Sequence, residues 1–226
     1  MKVVLLPGLD GTGELFEPLI EMLPKSIKVQ TISYDLNKKQ SYSELIKYVI
    51  LNLPQENFIL LAESFSGPIA YQVALSKPKQ LKSLIVVATF LENPRPFLLK
   101  FLPTRVLDLT IPILLIKLFF LGFSTKIEII NLFKIAIKKV PPSVIAFRLD
   151  EITKLKLAQK KLDIKTTYIQ ASNDKLVPSK SLKNWQNICS EISVFKVSGE
   201  HFILQSNPVK CAEIVRNEVN LMTSMK

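Results

Sequence analysis

The sequence predicts an α/β fold: a mostly parallel sheet of about six strands flanked by helices. Three observations carry that prediction. Short apolar runs recur along the chain, and the segments between them place apolar residues at helical spacing. The alternation breaks only once, near the middle, where the pattern is helical throughout. At 226 residues and 48% apolar composition, the chain has the material for one large core.

The runs "KVVLLP" (2–7), "KVQTIS" (28–33), "NFILLA" (57–62), "LKSLIVVA" (81–88), "IKTTYIQA" (164–171) and "EISVFKV" (191–197) each suit a strand buried on both faces or nearly so. Between them lie "LFEPLIEMLPK", "YSELIKYVILNLP", "PIAYQVALSKP" and "SKSLKNWQNIC", whose apolar residues return every three or four positions. Strand–helix alternation of this kind builds a parallel sheet with right-handed crossovers and helices on both faces. No internal repeat or low-complexity linker interrupts it. The exception is residues 92–163, where "PFLLKFLPTRVLDL", "IPILLIKLFFLGF" and "KIEIINLFKIAIKKV" read as helices and no strand pattern stands out. This predicts a core made of residues 1–91 and 164–226, with a helical insertion over one end of the sheet.

Composition limits the function classes. The apolar run Ile111–Phe123 is thirteen residues long and contains Lys117, short of the ~20 residues of a membrane span. No transmembrane segment is therefore expected. The chain's start has too short an apolar stretch for a secretory signal, which predicts a cytoplasmic protein. Cys189 and Cys211 have neither CxxC spacing nor a neighbouring His, so neither a metal nor a redox centre is expected. The net charge is +11, and residues 91–165 carry fourteen Lys or Arg against six Asp or Glu, a net +8. Such a segment would steer an acidic partner, and a Lys-rich base composition would produce it equally well. Only four of the thirty cations are Arg, the residue that bidentate phosphate and base recognition favour, which argues against nucleic acid.

In "ILLAESFSGPIA" a strand stops at Ser64 and a helix begins almost at once, with the small residues Ala62, Ser66 and Gly67 around it. A nucleophile elbow is a sharp strand-to-helix turn that tolerates only small groups there, and it raises the serine beside a helix N-terminus. The same residues would serve as a helix cap and turn. Two other positions decide between them. The single histidine, His201 in "VSGEHFILQSNP", follows the last strand run, and Asp174 in "IQASNDKLVPSK" follows the one before it. Ser64, Asp174 and His201 thus each fall just past a strand's C-terminal end, where an open α/β sheet places its reactive groups. A serine hydroxyl needs an imidazole to take its proton, and the imidazole needs a carboxylate to fix its tautomer. Glu92, Asp163 and Glu200 are competing acids; Glu92 ranks second to Asp174.

The loop "LLPGLDGTGELF" after the first strand contains three glycines. The dinucleotide fingerprint G-x-G-x-x-G fails on spacing: reading from Gly11 puts Phe16 at the third glycine, although Asp35 ends the second strand at a suitable distance. No Gly-Lys-Ser/Thr follows either, so no cofactor is expected, and Asp35 reads as a loop or cap residue. An acyl-transfer site needs two N–H donors for its oxyanion. Phe65, after the nucleophile, supplies one, and Leu9, with Gly8 allowing close approach, supplies the other.

Together, "LLPGLDGTG", "AESFSGP", "SNDKLVP" and "GEHF" resemble the oxyanion loop, nucleophile elbow, acid turn and histidine loop of the α/β-hydrolases, from end to end of the chain. Three departures stand out. Pro7 replaces the usual His, Ala62 and Ser66 replace the elbow glycines, and the chain opens on what would be the family's third strand. The resemblance implies a compact sheet of about six parallel strands and a lid formed by the insertion. It also implies a serine carboxylesterase acting on an apolar acyl ester. Methyl esterases of pimeloyl-acyl-carrier protein in biotin synthesis are similar small members, and a basic lid would suit an acidic acyl carrier protein or coenzyme A. Thioesterases and triad-using lyases share these motifs, and a non-catalytic ligand-binding module is the reading from another class.

Overall fold

The computed structural model describes residues 1–95, 127–156 and 160–224. Six strands, β1 (Lys2–Leu6), β2 (Lys28–Thr31), β3 (Phe58–Glu63), β4 (Leu81–Val87), β5 (Thr166–Ala171) and β6 (Ile192–Val197), form one sheet in the order β2-β1-β3-β4-β5-β6. Every pairing is parallel. The helices are α1 (Glu17–Met22), α2 (Tyr42–Leu51), α3 (Gly67–Leu75), α4 (Ile127–Lys138), α5 (Pro142–Lys154), α6 (Ser179–Ile188), α7 (Ile203–Ser206) and α8 (Pro208–Ser224).

The continuous apolar runs follow from a sheet covered on both faces. Along β1, Val4 and Leu6 join a core with α2, α3 and α6, through Leu45, Val73 and Trp185. Val3 and Leu5 point the other way, to a second core with α1, α7 and α8 through Leu19, Leu204 and Val215. Successive side chains on a strand alternate faces, so a run with two apolar environments shows no polar alternation. All six residues of β3, beside β1 at the centre, are buried. The expectation of burial on both faces fails for the outermost strands. β2 is only partly covered, and Val194 and Phe195 of β6 are 39% and 42% exposed. An edge strand lies at the margin of the helical layers, and its apolar residues gain only part of the burial available at the centre.

Between β4 and β5 the described residues hold the helices α4 and α5 and one isolated bridge, from Leu162 to Cys189. The predicted helical segments 96–109 and 111–123 lie outside the described residues. The segment "KIEIINLFKIAIKKV" gives α4. Helix α5, opened by prolines at its first turn, was not read from the sequence. Both helices pack towards the C-terminal ends of the strands. Phe133 of α4 lies 5.2 Å from Phe202 between ring centroids, and Val144 and Ile145 of α5 share a cluster that Leu9 packs against. Among the described residues no helix is long and apolar enough to cross a membrane.

Candidate active site

The loops after β1, β3, β5 and β6 meet at one end of the sheet, and the predicted site residues meet with them. Ser64 begins a single 3₁₀ turn between β3 and α3. Its φ of 48° lies in the left-handed region, a strained conformation for a residue with a side chain. The strain is held by contacts on both sides. The Thr89 hydroxyl donates to the Ser64 carbonyl, and the Tyr42 hydroxyl donates to the Phe65 carbonyl at 3.1 Å. The Phe65 ring stacks on Tyr42 with centroids 4.8 Å apart. Gly67 has no room for a side chain, because a Cβ there would run into Thr89.

Ser64 Oγ lies 2.9 Å from His201 Nε2, and His201 Nδ1 lies 2.8 Å from Asp174 Oδ2. The other carboxylate oxygen, Oδ1, accepts the N–H groups of Leu176 and Val177, each at 2.9 Å. Two backbone donors thus set the carboxylate plane, and the imidazole is set by the carboxylate. The His201 and Asp174 side chains are each 5% exposed. Two of the competing acids are engaged elsewhere. Glu92 accepts from Asn184 and pairs with Lys180, and Asp163 accepts from Ser190.

The first loop runs past the serine at contact distance, since a Cβ added to Gly8 would lie 3.9 Å from the Ser64 Cβ. The Gly8 carbonyl accepts from the Gly11 N–H at 3.1 Å. The Gly8–Leu9 peptide is trans, so the Leu9 N–H points opposite to that bond. Asp10, Gly11, Thr12 and Gly13 build the turn. Asp10 Oδ2 accepts from the Thr12 N–H at 2.9 Å, the Gly11 carbonyl accepts from the Tyr34 N–H at 2.9 Å, and Gly11 and Gly13 have φ of 70° and 80°. Asp35 behaves as a loop residue, accepting from the Asn37 N–H.

Four buried polar residues beside the site escaped the sequence reading. Ser66, read only as small, has its hydroxyl between Tyr34 Oη and the Pro7 carbonyl. A carbonyl only accepts, so the Ser66 proton goes to Pro7 and Tyr34 donates to Ser66. This pins the first loop to the elbow, a tether that an elbow glycine would lack. Arg148 of α5 is fully buried against the same loop. It falls on the stripe Val144, Ile145, Arg148 and Ile152, and a charge on an apolar stripe is the signal that would have found it. Glu63, immediately before the serine, is 2% exposed; its Oε1 accepts from Gln205 Nε2 at 3.1 Å, and its Oε2 has no hydrogen-bond partner among the described residues. The same Gln205 amide donates to the Leu15 carbonyl.

Burial lifts the Glu63 carboxyl to about 7; the Gln205 hydrogen bond opposes it, Asp10 adds to it, and His201 opposes it. Burial presses the His201 imidazole downward, but the charge and hydrogen bond of Asp174, and then Glu63, outweigh it and leave it above 6.5. Because the folded state holds the Glu63 proton more tightly than the unfolded chain, its contribution to stability is present below about pH 4.5 and lost as pH rises through about 7. Glu63→Gln is therefore expected to gain stability over wild type between pH 5 and 8, on the order of 3 kcal/mol at the upper end. Melting temperatures measured across that range check this, and parallel curves for the two proteins would overturn it. The same variant should move the acidic limb of any His201-dependent rate to lower pH, because it removes a charge that favours the imidazolium.

No protein-family model and no curated protein matches the sequence. Solved structures match it along nearly its whole length. A lipase-esterase related protein from Clostridium acetobutylicum superposes with a TM-score of 0.79 at 19% identity, covering 96% of this chain and 93% of that one. A carboxylesterase structure from the thaumarchaeon Nitrososphaera gargenis gives 0.79 at 14% identity, over 100% and 92%. An extracellular α/β-hydrolase from a Paenibacillus species gives 0.70 at 20% identity, over 95% and 97%. The chain has the α/β-hydrolase fold, in a compact form with six parallel strands and helical structure inserted between β4 and β5.

Proposed function

We propose that the protein is a serine hydrolase that cleaves carboxylic esters through an acyl-enzyme. The hydrogen-bonded line from Ser64 through His201 to Asp174 is the observation that carries this reading. Ser64 Oγ attacks the ester carbonyl carbon while its proton passes to His201 Nε2, and the carbonyl electron pair moves onto oxygen. The Leu9 and Phe65 N–H groups bind that oxyanion. Phe65 stands in the first turn of a helix, where N–H groups have no intrahelical acceptor, and the Leu9 N–H points away from the turn that holds Gly8. Collapse expels the alcohol, which takes the proton from His201. Water then gives a proton to His201 and its oxygen to the acyl carbon, releasing the acid and restoring Ser64. Asp174 orients His201 and stabilises the imidazolium in both steps.

The substrate we propose is an apolar acyl ester. Its particular form is the methyl ester of pimeloyl-acyl-carrier protein, with the insertion 92–163, within the basic segment 91–165, acting as a lid that receives the acidic carrier. The motif resemblance and the net +8 of that segment support this choice. A fluorophosphonate probe and a panel of methyl esters, acyl thioesters and p-nitrophenyl esters test the proposal. Labelling and ester turnover are expected, with carrier-borne ester turnover falling steeply with salt and small-ester turnover indifferent to it. A salt-independent rate removes the carrier, and preference for thioesters makes the protein a thioesterase. Absence of labelling and turnover leaves a ligand-binding module.

A further inference from the structure

Among the described residues, Arg148 is the one fully buried arginine, and no ion pair involves it. Removing a guanidinium from water is costly unless its donors are met. Here backbone carbonyls meet the two terminal nitrogens: Nη1 donates to Leu9 O at 2.9 Å and to Asp10 O at 2.7 Å, and Nη2 to Asp35 O at 3.3 Å, while Nε has no partner among the described residues. The guanidinium also lies 5.7 Å from the centre of the Tyr34 ring. Gly11 is packed so closely on it that an added Cβ would stand 2.6 Å from Nη1. The seventh residue of α5 is therefore built into the loop that follows β1.

The order of these bonds matters. The Asp10 carbonyl that accepts from Arg148 belongs to the peptide whose N–H is that of Gly11. That N–H donates to the Gly8 carbonyl at 3.1 Å, and the Gly8 carbonyl belongs to the peptide whose N–H is that of Leu9. A positive charge thus stands at one end of a line of two peptide groups, and the Leu9 N–H stands at the other. Hydrogen bonds in series polarise one another, by perhaps 10–30% per bond, and more effectively away from water. The bond from Nη1 to the Leu9 carbonyl fixes the next peptide as well, so Leu9 is held from both sides.

We propose that Arg148 is a positioning residue for acyl transfer, which orients and strengthens the Leu9 N–H as an oxyanion donor through the Asp10–Gly11 and Gly8–Leu9 peptides. The proposal rests on Ser64 being a hydrolytic nucleophile. It makes the second insertion helix part of the machinery that stabilises the transition state, although Arg148 touches no substrate.

The test compares wild type with Arg148→Met and Arg148→Lys on a p-nitrophenyl ester, with active sites counted by fluorophosphonate labelling. A trifluoromethyl ketone, which forms an oxyanion on Ser64, and the unreactive alcohol of the same skeleton report donor strength separately from ordinary binding. A wild type that neither labels nor turns over ester defeats the hydrolase reading itself, before any variant is made. Given an active wild type, Arg148→Met is expected to lower kcat per active site by about 10–100-fold with KM little changed, somewhat less than loss of a direct donor. Trifluoromethyl ketone affinity should fall in step, alcohol affinity should not, and Arg148→Lys should recover part of both. If Arg148→Met does not fold, Arg148→Lys decides alone, because its ammonium keeps the charge without the fork that spans two carbonyls. A folded variant whose kcat and ketone affinity stay within about threefold of wild type, or whose ketone and alcohol affinities fall equally, overturns the proposal.

Discussion

Ser64→Ala is expected to reduce ester turnover by about a million-fold, the scale seen when the nucleophile of a serine-histidine-aspartate set is removed. The loss should appear in kcat, and fluorophosphonate labelling should vanish with it. Stability should change little. The Ser64 side chain has one hydrogen bond, to His201, whereas the contacts that brace the elbow use the Ser64 and Phe65 carbonyls and the Ser66 hydroxyl. The alanine keeps all of these. A Ser64→Ala protein that melts like wild type and still hydrolyses ester at a tenth of its rate would remove Ser64 from the chemistry. The comparison is made on one purified sample, with turnover, labelling and melting temperature read together.

Asp174→Asn should cost about 10⁴-fold in kcat, with binding little altered. The structure gives the reason in detail. Asp174 Oδ1 accepts two backbone N–H groups, from Leu176 and Val177. In the asparagine variant those donors still need an oxygen, so the amide oxygen stays with them and the NH₂ group faces His201. Nδ1 must then accept rather than donate, which places the ring proton on Nε2. An Nε2 that already carries a proton cannot take the one from Ser64. The measurement is kcat and KM for wild type and Asp174→Asn at pH 8. A loss smaller than about tenfold would mean that another acid, Glu92 first among them, serves His201.

The sheet was legible because the apolar runs of its central strands have to satisfy two cores at once. Val3 and Leu5 enter one and Val4 and Leu6 the other, and only a strand covered on both faces calls for such a run. Ser64, Asp174 and His201 were legible for a different reason: each stands directly after a strand run, so chain order alone carries them to one end of the sheet. Contacts between distant segments were not legible. Arg148 meets Asp10 across 138 positions and Gln205 meets Glu63 across 142, and no local pattern encodes either pairing. The coverage of β6 depends on its place at the edge, which the run "EISVFKV" does not reveal. Ser66 was read correctly as small, but its hydroxyl matters only once Pro7 and Tyr34 are known to flank it.

The separation of the serine from its partners along the chain also sets a timetable for synthesis. Ser64 and His201 are 137 positions apart, and Asp174 and His201 are carried by the loops after the last two strands. At ~5–20 residues per second, the ribosome makes Ser64, the proposed nucleophile, roughly 7–27 s before it makes His201, the proposed base. On the proposed reading, a nascent chain therefore carries an ordinary hydroxyl until β5 and β6 have joined the sheet.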